Sequence, residues 1–412
     1  MLQSIILIFA FLISVVPLLS SPQTWEQWRG PSRDGRILDE TSKWPSDLSG
    51  VETTWRKELN EGYSSPIVTT DLVFTVETRD KSDEIVRAFD RKSGEKLWEK
   101  SWKGSMKVPF FARKNGSWVR STPVYSNGTL YVGGIREVLV AIDSTTGKEK
   151  WRIDFVKREK SGVPTFGFVS SPLIQGDFLY IQAGAEVAKI RCSDGKKIWG
   201  AMKDGRAMYG SAFSSLVIAE VAGKDQLLAQ TREELAGMDL ASGKVMWRYK
   251  VKAFRGMNIL TPTIIGDTLF TSTYGGGSSL FTVSTDSEGM NVSKTWSHKT
   301  EGYMSSPLTH EGHLYMHGRD QRFHCFEAKT GKLKWSSVKK FSEYASLVAN
   351  KGRALALTAD GNLLLMELNP AEFKLIDTKK VSDSPTWAHL AVCGEELFVR
   401  ELKGLAKLHW PR

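Results

Sequence analysis

Between residues 64 and 98 the apolar positions fall into short runs separated by turn residues. Ile67-Val68, following Pro66, opens a short inner strand. Thr70-Asp71 turns the chain into Leu72-Val73-Phe74-Thr75-Val76, a second strand. Ile85-Val86-Arg87-Ala88-Phe89 alternates as a third strand does, and Lys96-Leu97-Trp98 makes a fourth. Ser93-Gly94 supplies the left-handed residue of a tight hairpin, and Asp90 is placed to accept bonds from the amides of that turn.

The same sentence recurs: Ser-Ser-Pro, two strands, a third strand, then Asp-x-x-Ser/Thr-Gly-Lys-x-x-Trp. A second copy runs from Ser121-Thr122-Pro123 to Trp151 and a third from Ser170-Ser171-Pro172 to Trp199. Aligned on the Pro position, the starts are Pro66, Pro123, Pro172, Leu216, Pro262, Pro307, Leu347 and Leu390. A strand-and-turn period of 40 to 57 residues, repeated eight times, predicts an all-β fold. The expected architecture is an eight-bladed β-propeller of four-stranded antiparallel blades, each covering its neighbour's face. Copy eight starts at Trp387-Ala388-His389-Leu390 and ends at His409-Trp410, one strand short. Thr53-Thr54-Trp55-Arg56-Lys57-Glu58-Leu59 is a Trp strand with no unit before it. Trp55 to Leu59 is therefore expected to close the last blade beside Leu405 to His409.

At these residues, over roughly 53 to 410, the chain resembles the family of pyrroloquinoline-quinone-type propeller repeats. Its opening Trp25-Glu26-Gln27-Trp28-Arg29-Gly30-Pro31-Ser32-Arg33-Asp34-Gly35 resembles the start of many secreted bacterial proteins with this repeat. Two branches of the family are relevant. One contains quinoprotein alcohol dehydrogenases. The other is non-enzymatic and includes the propeller lipoprotein of the bacterial outer-membrane β-barrel assembly machinery. The resemblance implies, for the first branch, an adjacent Cys pair above the quinone and Glu, Asn and Asp ligands for calcium. No adjacent Cys pair is present, since the three cysteines are Cys192, Cys325 and Cys393. Nor is there a phosphate loop, a Gly-x-Ser-x-Gly or a His-Glu-x-x-His.

Residues 1–20 carry no charged side chain, and Ile5 to Leu19 is a nearly continuous apolar run containing Pro17. It is short for a membrane span and reads as a signal peptide. The expected layout is signal peptide 1–20, N-terminal extension 21–52 and one propeller domain 53–412. Deleting 22–30 should then matter far less than deleting 51–60. The expected location is the periplasm or outside the cell. No Cys lies near the end of the signal segment, so a lipoprotein is not expected.

Charge adds a candidate surface. The net charge is +10, and residues 99–120 and 152–169 contribute +5 and +2 of it. These are the two longest connections between blades and should share one face. Lys107, Arg113, Lys114, Arg120, Lys157 and Arg158 are interleaved there with aromatics including Trp118. The pattern suits either an anionic or sugar-like partner or a solvated rim. The residue three before each Pro position should ring the central funnel on the same face: Tyr63, Tyr344 and Trp387 among them, with Arg120 the one cation and His389 close by. Four histidines cluster in copy six, but His313 and His317 would lie roughly 13 Å apart along one strand, too far for one ion. Only a cross-strand pair such as His317 with His324 has the reach, so no metal site is assigned.

The expectation is an exported, non-catalytic binding or scaffold propeller, monomeric, whose partner is a protein or an anionic polymer of the cell envelope. Neither nucleic acid binding nor an integral membrane segment is expected, and no cofactor. The alternative is a quinone- and calcium-dependent, or degenerate, quinoprotein oxidoreductase, with the quinone stacked at Trp387 or Tyr63.

Overall fold

A computed structural model describes residues 23–37, 44–110, 116–204 and 212–410. Every strand in it belongs to one of eight four-stranded antiparallel sheets, arranged as the blades of a propeller. In chain order the blades span 67–103, 124–154, 173–201, 217–250, 263–298, 308–336, 345–380 and 391–409. The eighth takes its outer strand from Glu52–Glu58, paired antiparallel with Gly404–His409 from Glu52 opposite His409 to Glu58 opposite Gly404. The ring is thus closed by the first strand of the fold, as the orphan Trp strand implied.

The repeat sentence has a physical content. The Asp of each turn accepts the amide it faces: Ser93 N–H donates to Asp90 (2.7 Å), Thr146 N–H to Asp143 (3.0 Å) and Ser242 N–H to Asp239 (2.8 Å). The Gly has a left-handed backbone, and the Trp of the preceding blade lies over it. A Cβ on Gly147, at φ +72°, would stand 2.8 Å from the Trp98 ring. The indole N–H then donates to a carbonyl of that next blade: Trp98 to Ser144 (2.9 Å), Trp151 to Cys192 (2.9 Å), Trp296 to Ala328 (2.8 Å). Turn and Trp together fix neighbouring blades to each other at these junctions.

Nearer the axis, the hydroxyls of the Ser-Ser-Pro copies make a belt. Ser65 N–H donates to Thr122 Oγ1 (3.1 Å), Thr122 N–H to Ser171 Oγ (3.1 Å), and Ser171 N–H to Ser215 Oγ (3.0 Å). His389 occupies the equivalent place in the last blade, and its N–H donates to Ser65 Oγ (2.8 Å). Between the belt and these junctions lie the apolar faces. Ile67, Phe74, Val76 and Val86 of the first blade pack on Leu130, Val132, Val140 and Ile142 of the second. Burying each such side chain contributes about 1.5–3 kcal/mol, so the core of this protein is the set of blade interfaces.

Blade five departs from the repeat. Its third and fourth strands, Gly277–Asp286 and Gly289–His298, form a long hairpin in place of the Asp-to-Trp turn. Trp247, with no such turn ahead of it, bonds Gln226 of its own blade (2.6 Å). No described helix is long and apolar enough to cross a membrane.

Candidate functional site

The propeller has two unlike faces. On one, outer strands hand over to the next inner strand through the long connections. On the other lie the turns from inner to second strand and the Asp-to-Trp turns. The segment 23–37 enters from this second face. Trp25 exchanges backbone bonds with Val68 (2.7 and 2.9 Å), and Ile37 N–H donates to Ala349 O (2.9 Å). Between these anchors, Arg29 and Arg33 run into the axial channel. Arg33 donates to the carbonyls of Leu216 (3.0 Å), Pro172 (2.8 Å) and Ser171 (3.1 Å). Arg29 donates to Pro307 (2.7 Å) and to Asp34 (2.8 Å) of its own segment. Both guanidinium groups lie over the Trp28 ring at 5.5–5.6 Å. Burial pushes them below the usual arginine range, to about 10 for Arg29 and about 9 for Arg33, and they remain cations at neutral pH. The extension is therefore a plug that joins the inner strands of blades three, four and six. Trp25 is 1% exposed, so residues 23–30 are tied into the ring, and deleting them is expected to cost more stability than the sequence alone implied. An arginine that meets a carbonyl 183 residues away leaves no periodic signal in the sequence.

At the opposite mouth, Trp118, Tyr63, Trp387 and Tyr344 form a continuous aromatic run. Tyr63 meets Trp118 at 5.8 Å and Trp387 at 5.9 Å, and Trp387 stacks on Tyr344 at 5.6 Å and 5°. Arg120 donates to Gly116 O (2.6 Å), and burial holds it below its usual range. His389 lies one layer deeper than Trp387, in the hydroxyl belt. Burial and then the charge of Arg29 push it down to about 3, so it is neutral. Burial raises the Tyr344 hydroxyl, opposed by the same arginine. The plug reaches this layer where Trp28 meets His389 edge-on at 6.3 Å.

On the long-connection face the basic residues are distributed more sparsely than the sequence count implied. Residues 99–103 are part of the outer strand Lys96–Lys103, where Lys100 pairs with Glu149 (3.6 Å) and Lys103 with Asp83 (3.0 Å). Phe155–Glu159 is a short helix capped by Asp154. Arg158 on it pairs with Glu159 (2.7 Å) and lies over Phe155. Lys107 and Lys157 are exposed, and Trp118 is half-buried. Arg113 and Lys114 lie outside the described residues. The two connections meet where Gly167 approaches Met106: a Cβ there would be 3.0 Å from the sulfur.

Comparison with known proteins agrees with this architecture. The family model described as "Outer membrane protein assembly factor BamB" matches residues 82–337, well over half of the chain. The chain belongs to that propeller-repeat family. BamB from Moraxella catarrhalis superposes at a TM-score of 0.64 with 14% identity, over 88% of this chain and 99% of that one. The computationally designed Ika8 protein gives 0.59 at 10% identity, over 86% and 98%. A europium-containing methanol dehydrogenase gives 0.52 at 12% identity, over 92% and 89%. At such identities these likenesses establish the fold alone. Tetrathionate hydrolase of Acidithiobacillus ferrooxidans is 24% identical over 158 residues, 38% of this chain. The match spans 30% of that hydrolase's length.

Because the family includes quinoproteins, the funnel can be tested for quinone and calcium. Asn258 is fully buried; its Nδ2 donates to the carbonyls of Thr231 (2.9 Å) and Arg232 (3.0 Å), and its Oδ1, with no partner among the described residues, stands without a carboxylate beside it. Asp320 is engaged by His324 (2.9 Å). Among the described residues no three His, Cys, Asp or Glu side chains gather in a metal-binding group. Trp387, the natural stacking surface, is flanked by Tyr63 and Tyr344. These residues do not fit a quinone held on calcium. The His317 and His324 pair fails on register: His317 faces Phe323 and His324 faces Met316, so the two imidazoles leave opposite faces of the blade.

Proposed function

We propose that this protein is an exported, non-catalytic propeller, acting in the periplasm or outside the cell. Its long-connection face serves as a binding or scaffold surface for an anionic polymer or a protein of the envelope. The observation that carries this reading is the plugged axis. The axial channel is occupied from the turn face by the chain's own Arg29, Arg33 and Trp28. What remains available is the outer face, whose connections carry exposed Lys107 and Lys157 and half-buried Trp118. A rigid ring carrying long connections suits recognition, and family membership in a group described by an assembly factor points the same way.

The experiment is binding of the full chain to purified lipopolysaccharide, an anionic envelope polymer, at low and high salt. Exposed charge attraction decays over about 8 Å at physiological ionic strength, so binding should weaken as salt rises. Lys107→Glu with Lys157→Glu should weaken it about tenfold, equivalent to about 1.4 kcal/mol. Salt-independent binding, or unchanged binding by the double variant, would show these lysines to be a solvated rim.

A further inference from the structure

A second place on the same face is built differently. An open pocket of about 630 Å³ lies beside the connection that leaves blade four, lined by Arg232, Glu233, Lys250, Lys252 and Arg255 among others. Lys250, Lys252 and Arg255 are exposed and have no carboxylate partner among the described residues. Arg232 is buried, 3% exposed. Its guanidinium donates to Arg255 O (2.9 Å), while its Nε has no partner among the described residues. Asp204 stands behind it, accepting the Arg232 backbone N–H (3.1 Å), and Glu233 is the one acidic residue in the lining. Four cations stand against two carboxylates, Glu233 in the lining and Asp204 behind Arg232, and a bound anion would balance the remaining positive charge.

An exposed ring flanks the pocket. Phe254, between the lining residues Ala253 and Arg255, is 49% exposed, and the Arg255 guanidinium lies over it at 5.1 Å. Phe254 meets Tyr274 at 5.5 Å, which meets Tyr303 at 5.5 Å on the way to the funnel mouth. Arg319 lies over Tyr274 at 4.2 Å. The ring is held close by a glycine turn: a Cβ on Gly276 would come within 2.1 Å of Lys252 O. Arg255 sits at φ 51° and ψ 32° in the turn Phe254–Gly256, a left-handed backbone that a side chain tolerates at a cost.

We propose that this pocket binds an acidic sugar, its sulfate or carboxylate on Arg232, Lys250, Lys252 and Arg255 and its ring against Phe254. Guanidinium and ammonium groups match the anion, and an exposed aromatic face matches the apolar face of a pyranose. The site is separate from Lys107 and Lys157, so it stands or falls independently of them.

The test is calorimetric titration of the full chain with a sulfated oligosaccharide, a neutral oligosaccharide of equal length and anionic phospholipid vesicles. Arg255→Gly removes the cation while relieving the left-handed backbone, so the variant should be at least as stable as the parent. Saturable binding of the sulfated sugar is expected, weakened about tenfold in Arg255→Gly or Lys252→Gln and several-fold in Phe254→Ala. It should be unchanged in Lys107→Glu with Lys157→Glu. Equal binding by the pocket variants would overturn the proposal. So would equal binding of the neutral sugar, or binding of vesicles without binding of the sulfated sugar.

Discussion

Removing residues 51–60 is expected to abolish the single cooperative unfolding transition of the whole ring. Those residues contain Glu52–Glu58, whose backbone pairs with Gly404–His409 along the outer edge of blade eight. They also carry Trp55, buried against Phe398 at 6.2 Å and lying over Gly94 of blade one. The deletion opens two edges at once: the outer edge of the last blade and the face it shows to the first. Trp55→Ala alone should cost about 3–5 kcal/mol, the range for emptying a buried aromatic site. A suitable control shortens the exposed tip of the blade-five hairpin around Asp286 and Gly289. Thermal melts followed by near-ultraviolet circular dichroism decide the matter. Equal transitions for the two deletions would mean that the strand does not close the ring.

The second large effect is expected at the plug. Arg33→Ala leaves the carbonyls of Ser171, Pro172 and Leu216 facing a void near the axis. Each buried acceptor left unsatisfied costs about 1–3 kcal/mol, so a total loss of about 3–5 kcal/mol is expected. Arg33→Lys keeps the charge but offers one nitrogen where a fork spans three oxygens, and should recover less than half of that loss. Urea midpoints measure the cost. Protease cleavage between residues 23 and 37 reports whether the segment has left the channel. Midpoints equal to the parent, with the segment still protected, would show that the arginines are not what holds the plug.

The blades were legible in the sequence because their cause is local. Each Asp, Gly and Trp of the repeat acts within its own turn or on the neighbouring turn, so a fixed spacing preserves the signal. Trp55 announced the closure for the same reason: it is the repeat's Trp without the repeat before it. The plug was not legible, because Arg29 and Arg33 act on carbonyls of blades distant in sequence and require no partner side chain that could be noticed. Blade five keeps its start and its Trp but not its turn. Trp296 keeps the repeat's spacing, while the turn before it has been replaced by ten-residue strands. At the basic face a count of charges does not show their partners: Asp83 sits on the strand beside that of Lys103 and Glu149 on the blade next to that of Lys100, neither near its lysine in the chain. The pocket at Arg255 escaped notice because its cations come from two separated stretches, Arg232 and 250–255, and neither is a charge run.

The central claim is that the axis is filled by the chain itself and that the protein works through its outer face. The most direct measurement gives the full-length protein pyrroloquinoline quinone and calcium and follows dye-linked oxidation of alcohols and sugars, with the tryptophan fluorescence of the funnel recorded in parallel. Expected is no saturable turnover above a heat-treated control, and no saturable quenching. Turnover that is lost on Trp387→Ala or Asn258→Ala would contradict the claim and establish a working quinone site at the mouth of the channel.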